Sequence, residues 1–203
     1  MSDAESFSPT RKRPKPGERR VQILQTLASM LEQPAIERIT TAALAARLEV
    51  SEAALYRHFA SKAQMFEGLI EFIEQSVLSL INQIVTQPGY SGTRQAGKVV
   101  AMVMQFAEKN PGLTRVMVGD ALVFENERLQ QRMNLFFDKI EASLKQTLRT
   151  VAEQSDTMTP TVDAQVQAAV LTAFLVGRLQ RFARSSFKRL PSEHLDASLT
   201  LML

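Results

Sequence analysis

From Gly17 onwards, apolar residues recur at three- and four-residue steps along nearly the whole chain. This spacing gathers apolar side chains on one face of an α-helix, whereas a half-buried strand would alternate with a period of two. No stretch alternates in that way for long enough to form a strand. The sequence therefore predicts an all-α protein of about nine helices.

Capping residues and prolines predict where these helices begin and end. A first amphipathic helix ends before Pro34, a second starts after Thr40 and runs to about Leu48, and a third starts after Ser51. A capping box from Ser61 to Gln64 opens a long fourth helix, which ends before the Pro-Gly pair at 88–89. Later helices are predicted at 93–109, from Pro111 onwards, at 126–152, at 162–184 and from Ser192 towards the end.

Composition argues against an enzyme. The chain has no Cys, which excludes disulfides, thiolate catalysis and Cys-ligated metals, and it has only two His, His58 and His194. Glu71 and Glu74 share a helix face without a His or metal partner, and no Gly-rich phosphate loop is present. We therefore expect no catalytic activity, no metal and no cofactor.

The chain is also expected to be cytoplasmic and without a membrane anchor. Its longest apolar stretch, from Ala168 to Gly177, includes Thr172 and is shorter than the roughly 20 residues that a bilayer requires. The N-terminus has no apolar signal core.

Basic residues are concentrated near the N-terminus. The net charge is only +3, but one short segment carries six cations and the single acid Glu18. Such a cluster is typical of a nucleic-acid or anionic-surface partner, and it is equally compatible with a solvated tail. The cations are Arg11, Lys12, Arg13, Lys15, Arg19 and Arg20.

The second and third helices form a predicted helix-turn-helix. Only Glu49 and Val50 separate them, so the two helices must cross steeply. In the third helix Leu55 and Phe59 point inward, which leaves Ala53, Tyr56 and Arg57 on the outer face. Small, aromatic and cationic side chains suit the wall of a DNA major groove.

Together these positions predict a DNA-binding face. Ser51, Glu52, Ala53 and Arg57 would read base edges, while phosphates would be held by Tyr56, His58 and the starts of the second and fourth helices. Each residue alone is compatible with an ordinary surface role. The full predicted set is Thr40, Thr41, Ser51, Glu52, Ala53, Tyr56, Arg57, His58 and Lys62.

The segment from Ile39 to Lys62, within residues 19–66, resembles the DNA-binding signature of the TetR-type regulators. The resemblance implies an operator-binding protein. Two positions depart from the family pattern: Glu49, where a turn glycine is usual, and Ala60, where proline is frequent. A left-handed Glu49 would cost about 1 kcal/mol without abolishing the turn.

Further segments resemble a narrower group, the nucleoid occlusion factors, which bind chromosomal operators and restrain the tubulin-like division GTPase FtsZ. These segments are Met65-Phe66, 69–74, 110–115, Phe124-Glu125, 128–130 and the Arg- and Phe-rich run 181–188. The resemblance implies nucleoid association, and capture of the flexible C-terminal tail of FtsZ at positions that include Phe72, Lys109 and Asn110. Leu80 stands where a cation would be expected.

The partner surface also has a basis in the residues themselves. Phe72 lies off the main apolar stripe of its helix, and an apolar anchor beside a cation suits a peptide with apolar and acidic residues. The alternative is that Phe72 completes the core.

The last two helices predict a homodimer. Ala168, Ala169, Ala173 and Gly177 permit close backbone approach, and Phe174 fills the side. Leu195 and Leu199 of the last helix would complete a four-helix interface. The predicted organisation is a disordered basic tail (1–17), a helix-turn-helix domain (18–65) and a dimerisation and partner-binding domain (66–203), with two dimers on one DNA site as an option.

A ligand-responsive repressor is the alternative function. Its small-molecule pocket would be lined by Met102, Met104, Met117 and Met133 and by Phe106, Phe124, Phe136 and Phe137. The same residues at helical spacing are also compatible with an ordinary core.

Overall fold

The computed structural model describes residues 17–33, 38–155 and 158–203, and within these ranges the chain forms α-helices and no strand. The predicted all-α fold is confirmed. The helices are α1 (Glu18–Leu31), α2 (Thr41–Arg47), α3 (Glu52–Tyr56), α4 (Lys62–Val85), α5 (Gly92–Lys109), α6 (Pro111–Met117), α7 (Glu127–Ala152), α8 (Pro160–Arg184) and α9 (Leu195–Met202). A single 3-10 turn at Asp120–Leu122 lies between α6 and α7.

Side-chain caps start α2, α3 and α4 at the predicted residues. The hydroxyls of Thr40, Ser51 and Ser61 each accept a hydrogen bond from the backbone N–H three residues on. The capping box of α4 is modified, because Gln64 Oε1 accepts from the N–H of Ala60 at 2.7 Å instead of from that of Ser61. Each of these helices therefore has its first turn fixed by its own sequence.

The turn between α2 and α3 is a Schellman motif. The N–H of Val50 donates to the carbonyl of Ala45 at 3.0 Å, and the N–H of Glu49 donates to that of Ala46 at 3.1 Å. This motif needs a left-handed residue at the first position after the cap, and Glu49 takes it with φ 54°. The strain predicted for Glu49 is therefore present, and the steep crossing of the two helices forms without a glycine.

The spacing of Val21, Leu24, Leu27, Ala28 and Leu31 predicts the apolar face of α1, and the buried face is rotated slightly from it. Ile23, Leu27 and Leu31 are buried, whereas Val21 is 54% exposed. Val21 and Leu24 line an open groove on the side of α1 that faces α4 and α6. The apolar residues of α1 thus face two surroundings, the core and this groove. Their spacing in the sequence does not tell which residue faces which.

Helix α4 joins the helix-turn-helix to the larger domain, where α7 and α8 pack along each other and α5 packs on α7. Met104, Phe136, Leu171 and Leu175 are fully buried at the centre of that domain. Such close packing of large apolar side chains supplies most of the folding free energy.

Helix α9 differs from its prediction. It begins at Leu195, preceded by His194 in the left-handed conformation (φ 56°), and not at Ser192, whose N–H and hydroxyl both donate to Glu108. The segment from Arg184 to α9 is instead held by such side-chain contacts, including two from the Arg178 guanidinium to the carbonyls of Pro191 and Glu193.

Helix α8 has 25 residues and is apolar enough, by length and composition alone, to cross a membrane. The sequence prediction had considered only its ten-residue apolar centre. One side of α8 packs against α7 and buries Leu171, Leu175 and Leu179. This buried side of α8 belongs to the core of the domain, and its other side stays exposed.

Candidate nucleic-acid interface

Helix α3 presents the outer face that the sequence predicted. Leu55 and Phe59 are each 1% exposed and anchor the helix to the core, whereas Tyr56 is 46% exposed. Ala53 and Arg57 are exposed beside Tyr56. The hydroxyl of Tyr56 and the guanidinium of Arg57 are therefore exposed on one side of α3, while Leu55 and Phe59 anchor its other side to the core.

The start of this face is tied together by a side-chain contact across the turn. Thr41 Oγ1 of α2 donates to Glu52 Oε2 of α3 at 2.5 Å. Thr40 and Ser51 use one oxygen lone pair each as helix caps, so their hydroxyl hydrogens stay available for an acceptor such as a phosphate oxygen. These four predicted positions are brought together at the N-terminal ends of the two helices.

Arg20 supports α3 from below, which the sequence analysis did not predict. Its guanidinium donates to the carbonyl of His58 and stacks at 4.1 Å over the ring of Phe59. Arg20 therefore fixes the C-terminal end of α3 to α1. Arg19 donates to Gln22 at 2.8 Å, and the other predicted basic positions, Arg11, Lys12, Arg13 and Lys15, lie outside the described residues.

The side chain of Lys62 is partly buried and paired in this structure. Its ammonium forms an ion pair with Glu125, which lies in the loop before α7, and its side chain is 17% exposed. The sequence predicts Lys62, at the start of α4, as a residue that binds a DNA phosphate. The ion pair was not predictable, because its two residues are 63 positions apart in the chain.

The predicted partner residues lie around one groove between α1, α4 and α6. The groove has a volume of about 360 Å³, and Phe72 and Asn110 both line it together with Val21 and Leu24. Phe72 is 51% exposed, so it does not complete the core. Lys109 is exposed and immediately precedes Asn110 at the end of α5.

The outer side of α8 carries a continuous stripe of short apolar residues. Ala169 and Ala173 are exposed, and the position of a Cβ on Gly177 meets no atom within 4 Å. Phe174 is half-buried against the core. The stripe also contains valines that were not predicted, Val162, Val166 and Val170, which are 58%, 55% and 46% exposed.

Three residues of the predicted dimer face instead pack within the protomer. Ala168 is fully buried, Leu195 is 8% exposed, and Leu199 packs against the protomer's own core near Gly97 of α5. Amphipathic spacing showed that α9 has an apolar face but not which surface covers it. Part of this face packs on Gly97 of the protomer's own α5, through Leu199 and Leu203.

The Met and Phe residues of the alternative pocket are mostly core residues. Met104, Met117, Met133 and Phe136 are at most 1% exposed, whereas Phe124 is 69% exposed on the surface. Among the described residues, no cluster of His, Asp and Glu could hold a metal ion.

Comparison with known proteins gives two matching family models that cover most of the chain. Residues 23–69 match the model described as bacterial regulatory proteins, tetR family, and residues 93–203 match the model described as SlmA-like, Tetracyclin repressor-like, C-terminal domain. The helix-turn-helix and the larger domain therefore match two family models separately.

Curated relatives match along both parts. The nucleoid occlusion factor SlmA of Idiomarina loihiensis is 50% identical over 186 residues, which cover 91% of this chain and 93% of that protein. The SlmA of Vibrio cholerae is 50% identical and covers 91% of this chain and 93% of its own length. That of Shewanella sediminis is 51% identical over 88% and 89%.

Solved structures share the fold at much lower identity. The MbdR regulator from Azoarcus aligns with a TM-score of 0.74 at 16% identity, covering 91% of this chain and 97% of that one. The FadR regulator of Bacillus subtilis, solved with stearoyl-CoA, aligns with a TM-score of 0.68 at 13% identity, covering 90% and 96%. From the family models and the relatives that are half identical to it, this chain belongs to the TetR family of bacterial regulatory proteins and, within it, to the nucleoid occlusion factors.

Proposed function

We propose that this nucleoid occlusion factor binds palindromic chromosomal sites as a homodimer and, on DNA, captures the C-terminal tail of the FtsZ-type division GTPase. The division ring is then kept from assembling over the nucleoid. The observation that carries the DNA-binding part is the outer face of α3, where Tyr56 and Arg57 are exposed while Leu55 and Phe59 are buried behind them.

Base recognition is assigned to the N-terminal part and outer side of α3. Arg57 suits a guanine edge, since a guanidinium donates to two acceptors at once, and Ala53 leaves room for a thymine methyl group. Thr40, Tyr56 and His58 are proposed to bind phosphate oxygens and to set the register of the helix in the groove, whereas the Thr41 hydroxyl already donates to Glu52. Sequence specificity then depends on few side chains, and affinity depends on many.

Dimerisation is assigned to the apolar stripe of α8. Val162, Val166, Val170 and Ala173 follow one another at three- and four-residue steps, and all are exposed. Exposed valines on one helix face lose contact with water when a second copy packs on them, and the alanines allow the helices to approach closely. The two recognition helices of such a dimer lie about one DNA turn apart, roughly 34–36 Å, and require a palindromic site.

Capture of the FtsZ tail is assigned to the groove between α1, α4 and α6. Phe72 offers an exposed ring to an apolar residue of the tail, and Lys109 beside the groove suits an acidic residue. Helix α1 forms one wall of the groove and also holds α3 through Arg20. DNA binding and tail binding thus act on the same helix, which favours capture by the DNA-bound form.

Cytoplasmic location on the nucleoid follows from this function, because both proposed partners, chromosomal DNA and the division GTPase, are reached there. The proposed function requires no enzymatic activity, since binding to DNA and to the division GTPase is enough to keep the ring from assembling over the nucleoid.

The test is binding of a fluorescent peptide of the FtsZ C-terminal tail, with and without operator DNA. Phe72→Glu is expected to lower peptide affinity by at least about 10-fold, since a charge replaces the exposed ring that the tail is proposed to cover, and to leave operator affinity unchanged. Leu135→Glu is the matched control, because Leu135 is 57% exposed on α7, outside the groove. Peptide binding that is equal in both variants would contradict the groove assignment.

A further inference from the structure

A small cavity of about 80 Å³ lies where the helix-turn-helix meets the larger domain. Leu31, Ile39 and Phe66 form its apolar side. Three arginines from distant parts of the chain also line it, Arg38, Arg115 and Arg184. Neither the DNA face nor the groove of Phe72 includes these residues.

Arg115 is the unusual member of this set. It is only 7% exposed, and its guanidinium makes no hydrogen bond or ion pair with the described residues. It contacts the ring of Phe187 at 5.1 Å, and Phe187 itself is held in the left-handed conformation with φ 63°. A guanidinium has five N–H donors, and since no nitrogen of Arg115 is both fully enclosed and unpartnered among the described residues, these donors are open to a ligand that enters the cavity.

The charge balance of the cavity is positive. Arg38 and Arg184 are exposed at its edge and form no ion pair with the described part of the chain. Two acids line the cavity, Asp120 and Glu125, and Glu125 already binds Lys62. Three arginines therefore line the cavity together with a single carboxylate, that of Asp120, which has no cation of its own within salt-bridge distance in the described residues.

We propose that this cavity binds the phosphate group of a small ligand. Several guanidinium groups around one small space suit a phosphate, whose oxygens accept from more than one arginine at once. A neutral ligand would leave the donors of Arg115 without a charged acceptor. The cavity volume of about 80 Å³ accommodates one phosphate group and leaves the rest of a larger ligand at the opening beside Arg38 and Arg184.

The bound phosphate would touch both domains. Arg38 lies just before α2, whereas Arg115 and Arg184 belong to the larger domain. Glu125, which holds Lys62 at the start of α4, lines the same cavity. Binding of the ligand is therefore expected to change operator affinity, and this site does not depend on the proposed FtsZ partner.

The experiment is isothermal titration calorimetry of the full chain with inorganic phosphate and, in a second arm, with adenosine monophosphate. Ionic strength is kept constant with chloride, so that general screening does not change. Arg184→Ala and Arg38→Ala are each expected to weaken binding by about 10-fold, since each removes a charged hydrogen-bond donor. Arg189→Ala is the matched control, because Arg189 is exposed in the loop after α8 and does not line the cavity.

Arg115→Met is expected to abolish binding, and circular dichroism checks that this variant folds. If it does not fold, the affinities of Arg184→Ala and Arg38→Ala decide whether the cavity binds phosphate. Equal affinity for both ligands supports free phosphate as the source, and tighter binding of the nucleotide supports a phosphorylated metabolite. The proposal is overturned if neither ligand saturates the protein below about 10 mM. It is also overturned if Arg184→Ala and Arg189→Ala bind alike.

Discussion

The outer faces of α3 and α8 are both exposed, but they are chemically opposite. Helix α3 has five residues and shows Ala53, Tyr56 and Arg57, the side chains that suit a polar and charged partner. Helix α8 has 25 residues and shows a stripe of valine and alanine without a charge among Val166, Val170 and Ala173. An apolar stripe gains by exclusion of water, whereas a mixed polar face gains by direct hydrogen bonds.

The two faces also differ in how they are held. Helix α8 is fixed along its length by its own buried side. Helix α3 is too short for that, and it depends on the cap of Ser51, the two buried anchors and the contact of Arg20 with its end. The orientation of the polar face is therefore fixed by a few contacts from outside the helix, whereas the orientation of the apolar face is fixed by the domain core.

The largest expected effect follows from a charge on the apolar stripe. Val170→Asp places a carboxylate where a second copy is proposed to pack, so the dimer should dissociate. Operator affinity is then expected to fall by about 100-fold or more, because two linked half-sites bind far more tightly than one. Light scattering after size exclusion measures the mass, and fluorescence anisotropy measures operator affinity.

The matched control is Val123→Asp, since Val123 is 68% exposed but lies outside α8. It should leave both the mass and the operator affinity unchanged. A Val170→Asp protein that keeps the dimer mass would show that the apolar stripe has another role.

A smaller effect is expected on the polar face. Arg57→Ala removes a side chain proposed to bind a base edge, which is worth roughly 1–3 kcal/mol of discrimination. Specific operator binding should weaken by about 5- to 150-fold, with little change for a scrambled sequence. Arg149→Ala is the control, because Arg149 pairs with Glu153 at the end of α7. Equal losses on both DNA sequences would indicate a phosphate contact instead of a base contact.

The two faces were not equally predictable from the sequence. The face of α3 was, because a cap at Ser51 and two apolar anchors at Leu55 and Phe59 fix its rotation locally. The face of α8 was predicted only in part: small residues indicated close approach, but the partners of Ala168 and Leu195 are set by long-range packing. The tie between Lys62 and Glu125 and the three-arginine cavity depend on residues far apart in the chain, and local periodicity carries no signal for them.

The ion pair of Lys62 gives a test of intermediate size at the border between the two domains. Glu125→Gln removes the carboxylate that holds Lys62, so its ammonium becomes available to a DNA phosphate. Operator affinity is expected to rise severalfold, and the plot of log affinity against log salt concentration should steepen by about one unit. Adding Lys62→Met to the Glu125→Gln variant should return the slope of the same plot to its wild-type value.

Glu153→Gln is the control for general charge effects, since Glu153 is an exposed acid paired with Arg149. If Lys62→Met and Glu125→Gln both leave the salt dependence unchanged, Lys62 has only the structural role of joining α4 to the loop before α7.

The smallest effect concerns the turn that places α3 beside α2. Glu49→Gly relieves a left-handed backbone, which favours the folded state by up to about 1 kcal/mol, while greater chain freedom of glycine in the unfolded state offsets part of it. The free energy of unfolding in urea measures the change. Glu49→Ala separates the two causes, because it removes the carboxylate but keeps the Cβ that makes φ 54° unfavourable. Suppose that the glycine variant is more stable than the alanine variant and binds the operator with unchanged affinity. The strain at Glu49 is then a cost of the turn and not part of DNA recognition. The polar face of α3 in that case depends on the geometry of the turn and not on which residue forms it.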